Sequence, residues 1–341
     1  MFINSSKESD PQAYYTTYDT AKQTHLDSLL AKINFDALTS VASKAKSGIR
    51  CRIPTLYLGL KQAVLSQIGG QNCQLDLEFD DGVTWILESP GNEVGSSFVL
   101  MEKIPGTALQ WNDASSEQRT KIIQQLVDMF SELEKHPLKQ TGSLVPAEVR
   151  DKFETAYKAM ITGQMNAIGK KEITSLPVDN CIAFCWRLSA LPALTSSETN
   201  EGPFYLKHYD DKGDHILVDD DYNITGILDW EFASAEAKDL AFSSPCMMWP
   251  LGDYYDGLNN LSEDEIEFAC IFEIRGRKDI SEIVLGGRRW QRFLFFLGGG
   301  VEEDESTFES LFQGLRKSFA TDVEQSVSSY KDWKVEAINQ Y

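Results

Sequence analysis

His208-Tyr209-Asp210-Asp211-Lys212-Gly213-Asp214-His215-Ile216-Leu217-Val218 leads, across 219–226, into Ile227-Leu228-Asp229-Trp230. The polar first part reads as a loop. Residues 216–218 and 224–228 are short apolar runs on either side of Asp219, Asp220, Asp221 and Asn223, residue types that turns favour. The spacing predicts a loop that feeds a β-hairpin, with 204–207 as a short strand ahead of it. Such a loop and hairpin put Asp210 at one strand end and Asp229 just past the other. Asp219, Asp220 and Asp221 are read as turn residues only.

Around this hairpin the chain is largely helical. Ser115 and Gln118 have capping-box spacing before Ile122, Ile123, Leu126, Val127 and Phe130, and Ser262 with Glu265 repeats the signal for 263–272. Helical periodicity also covers 147–161 and 307–319, the latter with Phe308, Leu311, Phe312, Leu315 and Phe319 on one stripe. Toward the N-terminus the texture changes to β runs at 56–60, 63–68, 73–79, 83–87 and 98–103, with Gly69-Gly70 and Asp81-Gly82 at turn positions. Residues 19–47 read as helical. The plan is α+β: a helical extension over 1–50, a β-rich lobe over 51–103, and a mainly helical lobe over 104–341 that carries the loop 208–215 and the hairpin 216–231.

Composition narrows the partners. The chain has 341 residues, 32 Lys plus Arg against 52 Asp plus Glu, and a net charge of −20. A surface of that sign repels polyanions, so neither nucleic acid nor an anionic membrane is expected as a partner, and a cationic ligand is favoured. No apolar stretch approaches a membrane span, and 1–17 has no signal-peptide core. Six scattered cysteines without zinc-site spacing read as reduced thiols, which points to a cytoplasmic protein.

Phosphoryl transfer needs a carboxylate near the attacking hydroxyl, a metal-holding side chain a few residues on, and a second metal-holding carboxylate. His208, Asp210, His215 and Asp229 fall in that order. Here the sequence resembles the aminoglycoside phosphotransferase and choline-kinase-like family, relatives of the protein kinases. That family reads His-Gly-Asp, five further residues ending in Asn, Ile-Leu-Val, a hairpin, then Ile-Asp-Trp-Glu. Glu231-Phe232-Ala233 and Asp239-Leu240-Ala241 are also similar to it. The resemblance spans about 63–319. It implies a protein-kinase-like two-lobe fold with a small, truncated antiparallel-sheet N-lobe and an embedded catalytic-loop hairpin. It implies ATP and Mg²⁺ as cofactors, a small-molecule substrate, Asp210 as catalytic base, His208 as the structural histidine of the loop, and Asp229 as metal ligand. Gly69, Gly70, Gln71 and Asn72 resemble the phosphate-covering turn, although a plain turn fits equally. Glu102, Lys103 and Ile104 resemble the hinge edge that pairs with adenine.

Two positions depart from the family pattern. His215 stands where the family has Asn. It is either a loop histidine that binds no metal or a ligand better suited to Mn²⁺ than to Mg²⁺. Tyr209 stands where the family has a small Gly. After Trp85 the family places a Lys or Arg that neutralises the α/β-phosphates, then a helix. Here the run is Ile86-Leu87-Glu88-Ser89-Pro90-Gly91, and only residues 88–97 precede the hinge strand, too few for a strand end, a helix and a return. Lys61 and Lys103 are the nearby basic residues considered as substitutes.

Acidic clusters at Asp253, Asp256, Glu263, Asp264, Glu265 and Glu267 and at 302–305 suit a cationic acceptor or simply a solvated helix start. Trp249, Tyr254 and Tyr255 suit stacking or core. The reading is therefore an ATP-dependent small-molecule phosphotransferase. The alternative is a catalytically impaired kinase-like protein acting as a binding or regulatory module, and an unrelated acidic cation-binding domain is the third option.

Overall fold

The structure, a computed structural model, describes residues 16–17, 20, 24, 28, 31–53, 75–88, 99–143, 152–173, 175–230, 233–295, 304–320 and 327–341. The chain divides into two compact units, Met1–Ile104 and Pro105–Tyr341. It is α+β, with the helices concentrated in the second unit.

In the first unit, helix α1 (Phe35–Ala45) starts where the Asn34 side chain accepts the Ala37 N–H at 3.0 Å. Within the span 19–47 expected to be helical, the described residues 20, 24 and 28 are helical, a turn follows at 31–32, and α1 then starts afresh at Phe35 on the Asn34 cap. Strands β1 (Cys51–Arg52), β2 (Leu75–Phe79), β3 (Thr84–Glu88) and β4 (Val99–Glu102) form one antiparallel sheet in chain order. In β2 the residues Leu75, Leu77 and Phe79 alternate inward and bury against Leu38, Ala42 and Cys51. Between β2 and β3 the Asp81-Gly82 signal is realised, with Gly82 at φ +82° and Phe79 and Val83 bonded across the loop at 2.9 Å. Strands β3 and β4 pair directly, Trp85 opposite Glu102 and Glu88 opposite Val99. Residues 89–98, which join them, lie outside the described residues.

The second unit begins with β5 (Thr107–Ala108) and helix α2 (Ser116–Leu133), which starts on the full Ser115/Gln118 capping box. It continues through β6 (Gly142–Ser143), α3 (Phe153–Gly169), α4 (Pro177–Ala190), α5 (Ser197–Glu201), β7 (Phe204–His208), β8 (Ile216–Val218), β9 (Ile224–Ile227) and β10 (Ala233–Ala237). Helices α6 (Lys238–Ala241), α7 (Leu251–Tyr255), α8 (Glu263–Ile274), α9 (Lys278–Gly286), α10 (Arg288–Phe295), α11 (Glu305–Phe319) and α12 (Tyr330–Gln340) complete it. Two three-stranded sheets carry the loop: β6-β10-β7 and β5-β8-β9. The predicted hairpin is β8–β9, Ile216 opposite Ile227. No helix among the described residues is long and apolar enough to cross a membrane.

One expectation is corrected here. Glu265 was counted with an acidic cluster open to a substrate, but it is fully buried. Its carboxylate accepts the Ser262 N–H (2.9 Å), the Ser244 hydroxyl (2.7 Å) and Arg288 Nη2 (2.7 Å). The same glutamate that closes the α8 capping box therefore turns inward, because Arg288 supplies the counter-charge its burial requires. Asp264 pairs with Arg119, and Tyr254 is core, stacked on Trp249. Removing one partner of a buried ion pair costs far more than removing an exposed cap. Glu265→Ala is expected to lower stability by about 3–5 kcal/mol and Ser115→Ala by about 1 kcal/mol, both read from urea unfolding.

Candidate active site

Strand β7 ends at His208, and the ladder with β10 runs to the His208–Ala233 pair. His208 is thus fixed where the chain leaves the sheet for the loop. Its Nε2 lies 2.7 Å from the Leu228 carbonyl oxygen, which can only accept, so Nε2 carries the proton. The Leu228 N–H donates to the His215 carbonyl at 2.8 Å. Both backbone groups of Leu228 are therefore held by the two histidines of the loop, one residue before Asp229. Asp229 itself takes φ +61°, a left-handed conformation that Asp tolerates better than most residues. Trp230 packs edge-on to His208 at 5.1 Å and donates its indole N–H to the Ile227 carbonyl at 3.0 Å.

His215 is buried and stacks on His208, ring centroids 4.4 Å apart at 23°. Burial first, then the neighbouring His208, depresses its pKa to about 4, so the ring is neutral near pH 7. Its Nδ1 is buried without a hydrogen-bond partner among the described residues.

Asp210, the expected base, sits between two anchored neighbours. On one side Asp211 is buried, accepting Lys207 Nζ at 2.9 Å and the Cys246 N–H at 3.1 Å. On the other side the Tyr209 hydroxyl lies 3.2 Å from that of Tyr157, which donates to Glu236 Oε2 at 3.0 Å. Asp210 keeps its side chain about one-third exposed, and Lys212 Nζ approaches its Oδ1 at 3.0 Å and Asp214 Oδ2 at 3.6 Å. The Asp210 hydrogen bond raises the Lys212 pKa, so Lys212 is a cation held on the base. Gly213, at φ +106°, lets the loop turn where a Cβ would meet Met247 Sδ at 3.2 Å.

The expected residues therefore divide. The structure brings His208, Asp210, His215 and Asp229 onto one loop and hairpin. Glu102 ends the last strand of the first unit and Lys103 and Ile104 follow it; there the Lys103 N–H closes the ladder on the Thr84 carbonyl (2.8 Å) and its ammonium pairs with Asp76 (2.8 Å). Gly69, Gly70, Gln71 and Asn72 lie outside the described residues, as do Lys61, Glu231 and Phe232. Sequence reasoning missed Lys207, Asp211, Lys212, Tyr157 and Glu236. Only Lys212, two residues from Asp210, carried a local signal; the other contacts depend on strand register and on a helix some fifty to eighty residues away.

As to a metal, no set of three or more His, Cys, Asp or Glu side chains converges at ligand spacing among the described residues. The residues expected to hold an ion are Asp229 and His215, whose imidazole is neutral near pH 7. One carboxylate with one imidazole fits Mn²⁺ better than Mg²⁺, which prefers an all-oxygen octahedron.

The family profile described as phosphotransferase enzyme family matches residues 78–250, just over half of the chain. Comparison with curated proteins returns no sequence match. Among solved structures, the ADP-bound aminoglycoside phosphotransferase APH(2'')-Ib overlaps 83% of this chain and 99% of its own, at 10% identity and a TM-score of 0.43. The Plasmodium vivax ethanolamine kinase overlaps 84% and 85%, at 11% identity and 0.44. The macrolide 2'-phosphotransferase MphH from Brachybacterium faecium overlaps 82% and 98%, at 15% identity and 0.38.

The depressed His215 pKa sets a pH dependence. In the unfolded chain a histidine titrates near 6.5, whereas here it takes its proton only near 4. Between those values the unfolded chain binds more protons, so this contribution is complete above pH 6.5 and declines as pH falls toward 4. His215→Asn is expected to flatten that decline, measured as urea midpoints from pH 7 to 4; an unchanged slope would contradict the assignment.

Proposed function

Since the chain belongs to the phosphotransferase enzyme family, we propose that it transfers the terminal phosphoryl group of ATP to a hydroxyl of a small, cationic molecule. The observation that carries this reading is the double hold on Leu228, whose N–H and carbonyl are fixed by His215 and His208, because it ties the Asp210 loop to the residue preceding Asp229. Asp210 orients or deprotonates the acceptor hydroxyl through Oδ2, since Lys212 sits on Oδ1. Asp229, with His215, holds a divalent ion, whose chemistry is to neutralise phosphate charge. His208 keeps its structural role. Lys212, 60% exposed at its side chain, is free to swing from Asp210 toward incoming phosphoryl oxygens, a source of positive charge that Lys61 and Lys103 were considered for.

In the same reading residues 69–72 cover the phosphates and the Glu102–Ile104 backbone meets adenine, with 1–50 an extension, 51–103 the nucleotide lobe and 104–341 the catalytic lobe. A cationic acceptor suits the net charge of −20 and the carboxylates of Asp210, Asp214 and Asp229. The place of action proposed is the cytoplasm, where ATP is supplied and where the free thiols Cys51, Cys181, Cys185, Cys246 and Cys270 stay reduced.

A second reading, a catalytically impaired module that binds without transferring, is favoured by one observation: the short link from Glu88 to β4 and the acidic residue where the family places a cation. The two readings part in one assay, transfer of labelled γ-phosphate to a panel of hydroxyl-bearing amines with Mn²⁺ or Mg²⁺. The phosphotransferase reading expects transfer in the wild type and a loss of about 10²–10⁴-fold in Asp210→Asn. Absence of transfer in the wild type sinks it and leaves the module.

The metal assignment is tested separately by thermal shift with ATP. Mn²⁺ is expected to stabilise the wild type more than Mg²⁺ does, and Asp229→Ala is expected to lose the metal-dependent part. Equal shifts in wild type and Asp229→Ala would place the ion elsewhere.

A further inference from the structure

Tyr209 occupies the position directly before the base, where a small residue would leave the loop free. Its residue is 39% exposed, yet its hydroxyl points inward. There it joins Tyr157 of α3 and Glu236 of β10, a carboxylate that is itself only 4% exposed. Glu236 accepts from Tyr157 at 3.0 Å, and the Tyr157 hydroxyl in turn meets that of Tyr209 at 3.2 Å. Burial holds the two phenols protonated, so both remain donors, and it raises the Glu236 pKa as well. A buried carboxylate at the end of a chain of two phenol hydroxyls is a fixed point, since rotation strands a polar group in the interior.

That fixed point is the second of two. Asp211, on the far side of Asp210, is anchored by the buried Lys207 ammonium and the Cys246 N–H. The Asp211 carbonyl in turn accepts the Met247 N–H at 3.1 Å. Asp210 is thus a partly exposed residue held between two neighbours whose side chains each reach a buried polar partner. With the Asp211 anchor alone the chain could still pivot at Tyr209; with both, its direction is set.

We propose that Tyr209 is a positioning residue for Asp210, tethered by Tyr157 and Glu236 so that the base keeps one orientation on the loop. The inference rests on the phosphotransferase reading for its catalytic meaning, but the tether is a property of the fold that is measurable without turnover. The amides that report on the loop are those that bond to it: Cys246 and Met247, which meet Asp211, and Ile216 and Leu228, which meet Gly213 and His215.

The test uses the full chain with Tyr209→Phe, which keeps the ring and removes the hydroxyl, Glu236→Leu, which removes the acceptor, and Glu236→Gln, which keeps one. Hydrogen exchange followed by mass spectrometry is expected to show the Cys246 and Met247 amides exchanging at least about tenfold faster in Tyr209→Phe, with the amides of α11 unchanged. Turnover of ATP to water, the smallest hydroxyl, is expected to fall about tenfold in kcat with KM for ATP unmoved, and Glu236→Gln is expected to recover most of the kcat lost in Glu236→Leu. A merely structural role would move stability without that split. Exchange at Cys246 and Met247 unchanged in Tyr209→Phe overturns the proposal, even where Glu236→Leu fails to fold. If wild type and Asp210→Asn turn over ATP equally, the phosphotransferase reading fails while the exchange result still decides the tether.

Discussion

The hold on Leu228 is the constraint from which the rest of the site follows. A carbonyl and an amide of one residue are captured by two histidines that stack on each other, and the captured residue stands next to Asp229. Asp229 has a left-handed backbone, a conformation that costs about 1–3 kcal/mol and persists only where its surroundings over-determine it. Here the surroundings are the Leu228 bonds on one side and the Trp230 indole bond to Ile227 on the other. The strain is thus carried by the hairpin end, past the β8–β9 ladder, whose own register shifts between Leu217 and Val218.

Charge is arranged on the same principle. The interior ion pairs of the second unit are each neutral as a unit: Lys207 with Asp211, and Arg288 with Glu265. They are desolvated and each carboxylate takes several donors, so they fix geometry while adding no net charge. The excess acid sits elsewhere, at exposed positions such as Asp214 and Asp229 near the loop. In the middle stands Lys212, exposed and bound to Asp210 by a single contact, the kind of pair that contributes little to stability.

Much of this was legible in the sequence because it rests on local rules. Both capping boxes formed, since a Ser hydroxyl three residues before Gln or Glu satisfies orphan amides wherever the chain lies. The Asp81-Gly82 turn and the 216–227 hairpin followed from residues that tolerate positive φ or hydrogen-bond their own backbone. What escaped was long-range. Glu236 lies in Ala233-Ser234-Ala235-Glu236-Ala237, where nothing in the run says that its carboxylate faces a tyrosine 79 residues earlier. His215 was legible as an unusual residue at a metal position. Its stacking on His208, seven residues back, needs the loop to fold over itself, and no period of helix or strand predicts that.

The direct pairing of β3 with β4 then bears on the chemistry. A ladder that runs from Trp85–Glu102 to Glu88–Val99 leaves the strand no lysine or arginine after Trp85 before the chain has already turned back. In the phosphotransferase reading proposed above, positive charge for a phosphoryl group falls to Lys212 and to an ion at Asp229 and His215, all on one loop and hairpin. Concentrating it there makes the orientation of the loop more consequential than in a protein that divides the task, because a rotation at Tyr209 displaces base and cation together. The two buried anchors flanking Asp210 are the fold's answer to that dependence.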